Sequence, residues 1–317
     1  MLKNAVVLFN LGGPDSLHSV EPFLYNLFCD PDIFNLPFGQ KLFARLISHN
    51  RAPKICEEYK LIGGKSPITE WTEKQRAMLQ DNLRKENQLT DVYMAMRYWK
   101  PFTYEVGTKV KSINYDKVVL LPLYPHYSIT TTGSSFNEWK RYYTGDENKL
   151  VYINDYYLNE KYIASINERI NETILNFPEN VRKEIQIVFS AHGTPVSLVK
   201  KGDPYSIHIK ETVEAVMSAR GHSHAHHLCF QSKVGPMKWL EPSTDNMIRL
   251  LASQNKKNLL IVPISFVSDH VETLFELDIQ YRQTANECRI ENYIVMKGLN
   301  DSKLFVEALT ELVRQKM

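Results

Sequence analysis

Short apolar runs of strand length alternate with amphipathic stretches along the chain. Nearly continuous apolar runs, typical of strands buried on both faces, lie at residues 5–10, 92–97, 118–123, 150–153, 185–190, 227–231, 259–266 and 293–296. Residues 70–86, 159–175, 203–219 and 302–315 have the spacing of helices. This alternation predicts an α/β fold of the doubly wound, Rossmann-like type, with parallel strands flanked by helices.

Two pairs of similar segments occur in the same order along the chain. VVLFNLGGP (6–14) resembles IVFSAHGTP (187–195), which places Leu11 opposite His192, and LLPLYPHYS (120–128) resembles LIVPISFVS (260–268). The pairs predict two similar halves of about four strands each, and chance similarity of short segments is the alternative. A ligand is expected at the carboxyl ends of such strands.

Composition excludes several classes of protein. The 317 residues are 43% hydrophobic and 23% charged, which is globular composition, and a net charge of +2 gives no reason to expect nucleic acid as a partner. No apolar run approaches the ~20 residues of a membrane span, and the N-terminus has no signal-peptide pattern. The four cysteines are scattered without a C-x-x-C pair. A reducing cytoplasm is therefore expected, without a disulfide framework or thiolate metal site.

Residues 22–47 are unusually apolar for a surface segment, and Pro31 and Pro37 interrupt any single long helix there. One interpretation is a helical hairpin packed on its own core. The other is an apolar lip over a hydrophobic ligand or a membrane surface.

Two glycine pairs resemble phosphate-binding motifs but fail the spacing rules. In GGKS (63–66), a P-loop would require glycine at the position of Tyr59. LGGP (11–14) lacks the G-x-G-x-x-G spacing, so a strand-ending turn explains it better than dinucleotide binding.

A histidine and a carboxylate stripe are the main candidates for chemistry. His192 ends an apolar strand, and on a helix Asp269, Glu272 and Glu276 would share one stripe. Carboxylates facing an interior must be compensated by protons or cations, and with an imidazole nearby they would suit a divalent metal such as ferrous iron. A structural histidine and a solvated acidic face are the alternatives.

A second histidine cluster occupies residues 222–227, with the sequence HSHAHH. Such tracts can bind metal adventitiously. The favoured interpretation is an exposed connector that runs into a strand and has no catalytic role.

The chain resembles the ferrochelatase family through motifs spread over nearly its whole length. These are NLGGP (10–14), RAPKI (51–55), YKLIGGKSPI (59–68), MRYWKP (96–101), YPHYSITTTGSS (124–135), FSAHGTP (189–195), GDPY (202–205), QSKVGPMKWLEP (231–242) and SDHVETLFELDIQY (268–281). The resemblance implies two similar α/β domains, each a four-stranded parallel sheet flanked by helices. The expected boundaries are 1–157, with the lip at about 22–50, then 158–300, and a helix at 301–317 that packs back on the first domain.

The implied activity is insertion of ferrous iron into protoporphyrin IX, which releases two protons and forms protohaem in the last step of haem biosynthesis. By resemblance, His192 is the active-site histidine and Glu272 faces it across the pocket, both being candidate metal ligands. Asp269, His270 and Glu276 match the acidic path behind, in a segment with a π-helical turn. Whether His192 acts as base or as metal ligand stays open. Coproporphyrin chelation and a non-catalytic haem or metal carrier are the alternatives.

The resemblance also implies a set of porphyrin-binding residues. Arg51, Lys54 and Ser232 match residues that hold the propionates, a role suited to charge-assisted hydrogen bonds. The remaining matches are pocket residues, with the apolar lip on one side and Trp239 on the other: Leu11, Tyr59, Arg97, Tyr98, Tyr127 and Trp239.

Departures from the family pattern refine these expectations. Ile129 stands where some members have a cluster-binding cysteine, so no iron–sulfur cluster or other tightly bound cofactor is expected and Fe²⁺ is a substrate. Leu11 stands where the coproporphyrin branch has tyrosine, which favours protoporphyrin. A monomer or homodimer is expected in the cytoplasm, with peripheral contact at the inner face of the cytoplasmic membrane.

Overall fold

The computed structural model describes residues 3–34, 36–85, 89–232 and 237–317. The chain divides into two compact units, Met1–Asp155 with Phe305–Met317, and Tyr156–Leu304. The boundaries expected from the sequence, after residues 157 and 300, lie two and four residues away from those of the units.

Each unit contains a parallel sheet, and the two sheets have the same topology. In the described part of the chain each sheet has four strands, in the orders β2-β1-β3-β4 and β6-β5-β7-β8. The strands are β1 (Asn4–Asn10), β2 (Thr90–Met96), β3 (Lys117–Pro122), β4 (Leu150–Tyr152), β5 (Gln186–His192), β6 (His226–Gln231), β7 (Asn258–Pro263) and β8 (Asn292–Val295). The predicted α/β fold class of two similar four-stranded domains is confirmed.

Helices occupy the segments between the strands. They are α1 (Val20–Phe28), α2 (Gln40–Leu61), α3 (Ile68–Lys85), α4 (Thr103–Ile113), α5 (Ser134–Tyr142), α6 (Glu160–Ile174), α7 (Val196–Lys200), α8 (Tyr205–Ala219), α9 (Thr244–Ser253), α10 (Tyr281–Glu287) and α11 (Lys303–Arg314). Short 3-10 turns lie at Leu17–Ser19, Glu147–Lys149 and Glu179–Glu184, and π-helical segments at Ile129–Gly133 and Glu272–Gln280. Most of α11 belongs to the first unit.

The central strand of each sheet is buried on both faces, which explains its continuous apolar sequence. Val6 of β1 lies between Val92 and Val119 of the neighbouring strands. In the second unit, Ile187 of β5 pairs with His226 on one side and with Leu260 on the other.

In the segment predicted as hairpin or lip, two helices pack on a shared aromatic cluster, as the hairpin interpretation expects, whereas the lip stays a prediction. Helices α1 and α2 enclose an aromatic cluster in which the Phe28 ring centroid lies 5.1 Å from that of Phe34 and 6.4 Å from that of Phe43. On the outside, large apolar side chains form what we call the apolar row: Leu36, Phe38, Leu42 and Leu46, exposed by 39%, 92%, 64% and 59%. Within the described part of the chain, no helix combines the length and apolar character that crossing a bilayer requires.

Cys229 lies on β6 inside the core of the second unit, whereas Cys29, Cys56 and Cys288 are only partly buried. Burial raises the pKa of the Cys229 thiol from 9.0 to about 12. Because the native state favours the protonated thiol, the stability that this group contributes is present below pH 9 and is lost as the pH rises towards 12.

We expect Cys229 to resist alkylation in the native protein at pH 8 and to react after unfolding. A thiol count in native and denatured protein measures this difference. In a Cys229→Ala variant the native count should be unchanged and the denatured count should fall by one. A native count that drops in this variant would contradict the assignment.

Candidate functional site

Candidate residues of the second unit meet where β5 and β6 end. His192 and Gln231 are the last residues of these paired strands, and their positions are in register. The chain turns directly after His192, with the Gly193 amide donating to the Gln231 carbonyl oxygen at 2.8 Å. A Cβ at Gly193 would lie 2.5 Å from that oxygen, so this close turn requires glycine.

His192 and Glu272 are in direct contact. The Nδ1 atom of His192 lies 2.8 Å from the Oε2 atom of Glu272, which begins the π-helical segment after β7. The expectation that these groups face each other across a pocket is therefore wrong, because a hydrogen bond leaves no space for a macrocycle between them. Imidazole and carboxylate lie together on the same side of the site.

The contact shifts both pKa values in opposite directions. Burial lowers the pKa of His192, but the Glu272 carboxylate outweighs this effect and the net shift is upwards. Burial raises the pKa of Glu272, but the His192 imidazole outweighs it and holds that pKa well below the usual range. The pair therefore favours the imidazolium–carboxylate form, although 40% of the His192 side chain remains exposed.

Ser232 joins a second carboxylate, Glu276, to this pair. Its hydroxyl lies 3.0 Å from Oε2 of Glu272 and 2.5 Å from Oε2 of Glu276, and its amide donates to Oε1 of Glu276 at 2.7 Å. The Ser232 hydroxyl has one proton and can donate it to only one of the two carboxylates at a time. Burial, followed by repulsion from Glu272, raises the pKa of Glu276. The site can thus store and pass a proton.

This geometry differs from the role expected for Ser232. Its hydroxyl and its amide are both engaged by carboxylates, so in this structure they are not available to a propionate. The backbone of Ser232 has φ +64°, a left-handed conformation that directs both groups towards the carboxylates.

Asp269 does not belong to the stripe expected from α-helical spacing. Its carboxylate accepts bonds from the Gly298 amide at 3.0 Å, the Asn300 side chain at 2.7 Å and the Thr273 hydroxyl at 3.0 Å. The reason is that the π-helical segment starts only at Glu272, so Asp269 precedes it. Asp269 anchors the loop at 298–300, whereas the expected π-helical turn is confirmed.

His270 lies behind the pair and is almost fully buried. Its Nδ1 atom donates to the Ser268 carbonyl oxygen at 3.1 Å, and its Nε2 atom lies 3.8 Å from Oε1 of Glu272. The ring packs edge-on against Phe266, with centroids 4.3 Å apart. His270 therefore approaches the second oxygen of the same carboxylate that binds His192.

Gln231 is a site residue that the sequence interpretation missed. Its side-chain amide donates to Oε2 of Glu272 at 3.1 Å, while its carbonyl oxygen accepts from the Ser190 hydroxyl at 2.8 Å. Ser190 in turn lies 2.8 Å from the Thr244 hydroxyl, and all three side chains are buried. This buried chain fixes the amide orientation and the position of Glu272. The only sequence signal was its place in the QSKVG segment.

In the first unit, Arg97 and Tyr98 belong to a buried network around Asp30. An Arg97 Nη2 atom lies 3.0 Å from Asp30, the Tyr98 hydroxyl donates to Asp30 at 2.5 Å, and Arg97 also donates to Ser134 at 2.7 Å. Burial, followed by the Asp30 charge, raises the pKa of Tyr98. Tyr98 is 1% exposed and Tyr59 is 2% exposed. Neither tyrosine lines a surface here, contrary to expectation, because a buried core and a buried carboxylate engage them.

The other expected porphyrin contacts remain at least partly accessible. Lys54 is 84% exposed on α2 with its nitrogen 4.0 Å from Glu58, and the Arg51 guanidinium lies 5.8 Å from the Phe28 ring centroid. The half-buried positions are Leu11, Tyr127 and Trp239. Their proposed role in ligand binding stays a prediction.

Among the described residues, no three His, Cys, Asp or Glu side chains already converge on a common metal position. The His192–Glu272 pair supplies one imidazole and one carboxylate, which are ligands suited to ferrous iron.

Comparison with solved structures supports the fold. The chain is similar to SirB from Bacillus subtilis with Fe³⁺, with a TM-score of 0.54, 11% identity and coverage of 99% of this chain and 96% of that one. At this identity the likeness concerns architecture alone.

Sequence comparison is more specific. A profile of the ferrochelatase family matches residues 3–317. The ferrochelatase of Citrifermentans bemidjiense is 47% identical over 316 residues, covering 98% of each chain. That of Aquifex aeolicus is 44% identical over 319 residues, covering 100% of both. With a match over nearly its full length and relatives of this similarity, the chain belongs to the ferrochelatase family.

Proposed function

We propose that this protein inserts ferrous iron into protoporphyrin IX to form protohaem, as the last step of haem biosynthesis. Membership of the family supports iron chelation into a porphyrin. The observation that carries the catalytic assignment is the hydrogen-bonded His192–Glu272 pair with Glu276 connected through Ser232. Fe²⁺ enters as two pyrrole protons leave, so the reaction requires a group that accepts protons beside the ring.

In this proposal His192 first releases its own proton to solvent through its exposed side and then accepts the pyrrole protons one at a time. A neutral imidazole is a suitable base, and the Glu272 carboxylate stabilises the imidazolium that forms. The proton can then pass along Glu272, Ser232 and Glu276, which are connected by short contacts. Glu272 and His192 are also the proposed ligands of the incoming iron, where a carboxylate can replace its water.

We propose that the protein binds the propionate side of the porphyrin through charged side chains and the vinyl side through apolar ones. Arg51 and Lys54 lie three positions apart on α2 and offer positive charge to propionates. Leu11 provides an apolar contact, which suits the vinyl groups of protoporphyrin better than the additional propionates of coproporphyrin. Ile129 supports the proposal that no iron–sulfur cluster is bound and that iron is present only as substrate.

We also propose a cytoplasmic location, as a monomer or homodimer, with peripheral contact to the cytoplasmic membrane. The apolar row is exposed, and residues 40–56 of α2 carry Lys41, Arg45, Arg51 and Lys54 without any acidic residue. A basic helix with exposed apolar side chains is typical of segments that bind anionic lipid surfaces.

Anaerobic Fe²⁺ and protoporphyrin should yield haem with the purified protein, measured by absorbance. His192→Ala should lower kcat about a hundredfold or more, because it removes the proposed base. His224→Ala, a substitution in the exposed tract, is the matched control and should keep full turnover. Full turnover by His192→Ala would refute the assignment, and haem binding without turnover by the parent would favour a carrier.

A substrate panel should show higher kcat/KM for protoporphyrin than for coproporphyrin. Leu11→Tyr should reduce that preference about tenfold, because it replaces an apolar contact with a hydroxyl-bearing ring. Tyr104, already an exposed aromatic residue, offers a control substitution, Tyr104→Phe, which should leave the preference unchanged. Preference for coproporphyrin in the parent protein would contradict this prediction.

The protein should co-sediment with vesicles that contain anionic lipid, and less with neutral vesicles. Phe38→Asp with Leu42→Asp should abolish most of this binding, since it places charge in the apolar row. Leu158→Asp, at a leucine 50% exposed in the second unit, is the control and should bind like the parent. Equal binding by all three proteins, or none by the parent, would count against membrane contact.

A further inference from the structure

The backbone of His192 lies where the pairing of β5 with β7 stops. The two strands pair in parallel from Gln186 to Ser190, and the Ser190 carbonyl oxygen accepts from the Ile264 amide at 3.1 Å. In a parallel ladder every second residue directs both its amide and its carbonyl group to the same neighbouring strand. His192 is the next residue of β5 that faces β7 in this way. If the ladder continued, both of its backbone groups would bond to the backbone of that strand.

The ladder stops because the chain turns at the end of β7. The Phe266 amide donates to the carbonyl oxygen of Pro263, the last residue of β7, at 3.2 Å and closes a turn there. This turn starts the segment that leads to Glu272, the partner of the His192 imidazole. The change of direction that brings Glu272 to the site therefore takes backbone partners away from His192.

Two side chains replace the missing ladder bonds. The His192 amide donates to the Ser265 hydroxyl oxygen at 2.9 Å, and the His192 carbonyl oxygen accepts from the Tyr205 hydroxyl at 3.0 Å. The Ser265 hydroxyl is also a hydrogen-bond partner of the Tyr205 hydroxyl. Tyr205 is 7% exposed, so water has little access to these bonds.

The three bonds form a closed ring that runs in one direction. A hydroxyl group has one proton to donate. Tyr205 gives its proton to the His192 carbonyl oxygen, so Ser265 is the donor in the contact between the two hydroxyls. Ser265 in turn accepts from the His192 amide. Each hydroxyl thus donates once and accepts once, and hydrogen bonds connected in this way strengthen one another.

We propose that Ser265 is a positioning residue for His192, which it holds through this ring of hydrogen bonds. The Cα atom of His192 lies between the amide and the carbonyl group, so fixing both groups fixes the direction in which the imidazole leaves the backbone. That direction places Nδ1 2.8 Å from Glu272 and leaves 40% of the side chain exposed towards a substrate. The inference rests on the proposed role of His192 in haem formation and gives Ser265 no direct part in the chemistry.

Anaerobic haem formation by Ser265→Ala tests this proposal. The variant keeps the catalytic pair but removes the acceptor of the His192 amide, so kcat should fall about tenfold while the KM for porphyrin changes by about twofold or less. Ser265→Thr retains a hydroxyl and should recover most of the parent kcat. Ser253→Ala is the matched control, because it removes a serine hydroxyl that also bonds to the backbone, donating to the Leu250 carbonyl oxygen at 2.7 Å. It should behave like the parent.

A double-mutant cycle with Tyr205→Phe tests the ring itself. If the two hydroxyls act as one unit, opening the ring at either place loses most of its effect. The double variant should then be little slower than the slower of the two single variants. Hydrogen exchange of the His192 amide, followed by mass spectrometry with fragmentation, should be about tenfold faster in Ser265→Ala than in the parent. This exchange reports on the backbone whether or not the protein makes haem.

Parent-level kcat in Ser265→Ala would overturn the proposal, and so would an equal loss in Ser265→Thr, since the hydroxyl would then not be the group that matters. Losses that multiply in the double variant would contradict the closed ring. If the parent forms no haem, the proposed function fails by itself. Unchanged exchange of the His192 amide in Ser265→Ala would separately refute the positioning by Ser265.

Discussion

The arrangement of the site depends on giving hydrogen-bond partners to one largely buried carboxylate, that of Glu272. Oε2 of Glu272 is contacted by the imidazole of His192 at 2.8 Å, the amide of Gln231 at 3.1 Å and the hydroxyl of Ser232 at 3.0 Å. A buried charge without such partners would be strongly destabilising. The ends of β5 and β6 and the start of the π-helical segment must therefore keep their relative positions. The same contacts that satisfy the charge bring together the groups able to move protons.

Each unit pairs an acid with a base, but the pairs differ in burial and in the kind of base. In the first unit Asp30 is paired with Arg97, and arginine is a residue type that binds carboxylates without exchanging protons in catalysis. In the second unit Glu272 is paired with His192, which can gain and lose a proton near neutrality. The Asp30–Arg97 pair suits a static role, which is to hold the segment around Asp30 in place. The Glu272–His192 pair suits proton transfer.

The sequence predicts strands better than it predicts contacts. Central strands such as β1 and β5 are apolar throughout because both faces are buried, and that signal is local. The direct His192–Glu272 contact depends on where a π-helical segment begins, which residue spacing does not reveal. Assuming α-helical spacing therefore placed Asp269 in the same stripe as Glu272. Tyr98 was expected in a ligand pocket because it matches a pocket residue of the family. Its burial against Asp30 could not be predicted, because Asp30 has no signal of its own in the apolar segment around it.

The nine-residue π-helix Glu272–Gln280 makes the spacing of its two carboxylates unusually sensitive to chain length. With about 4.4 residues per turn, four positions fall roughly 30° short of a full circle, whereas in an α-helix they overshoot it by about 40°. Losing one residue here would therefore not merely shorten the segment. It would rotate Glu276 by about 80° relative to Glu272, which is one residue's share of a π-helical turn, so side chains in this segment can be exchanged far more easily than residues can be inserted or deleted.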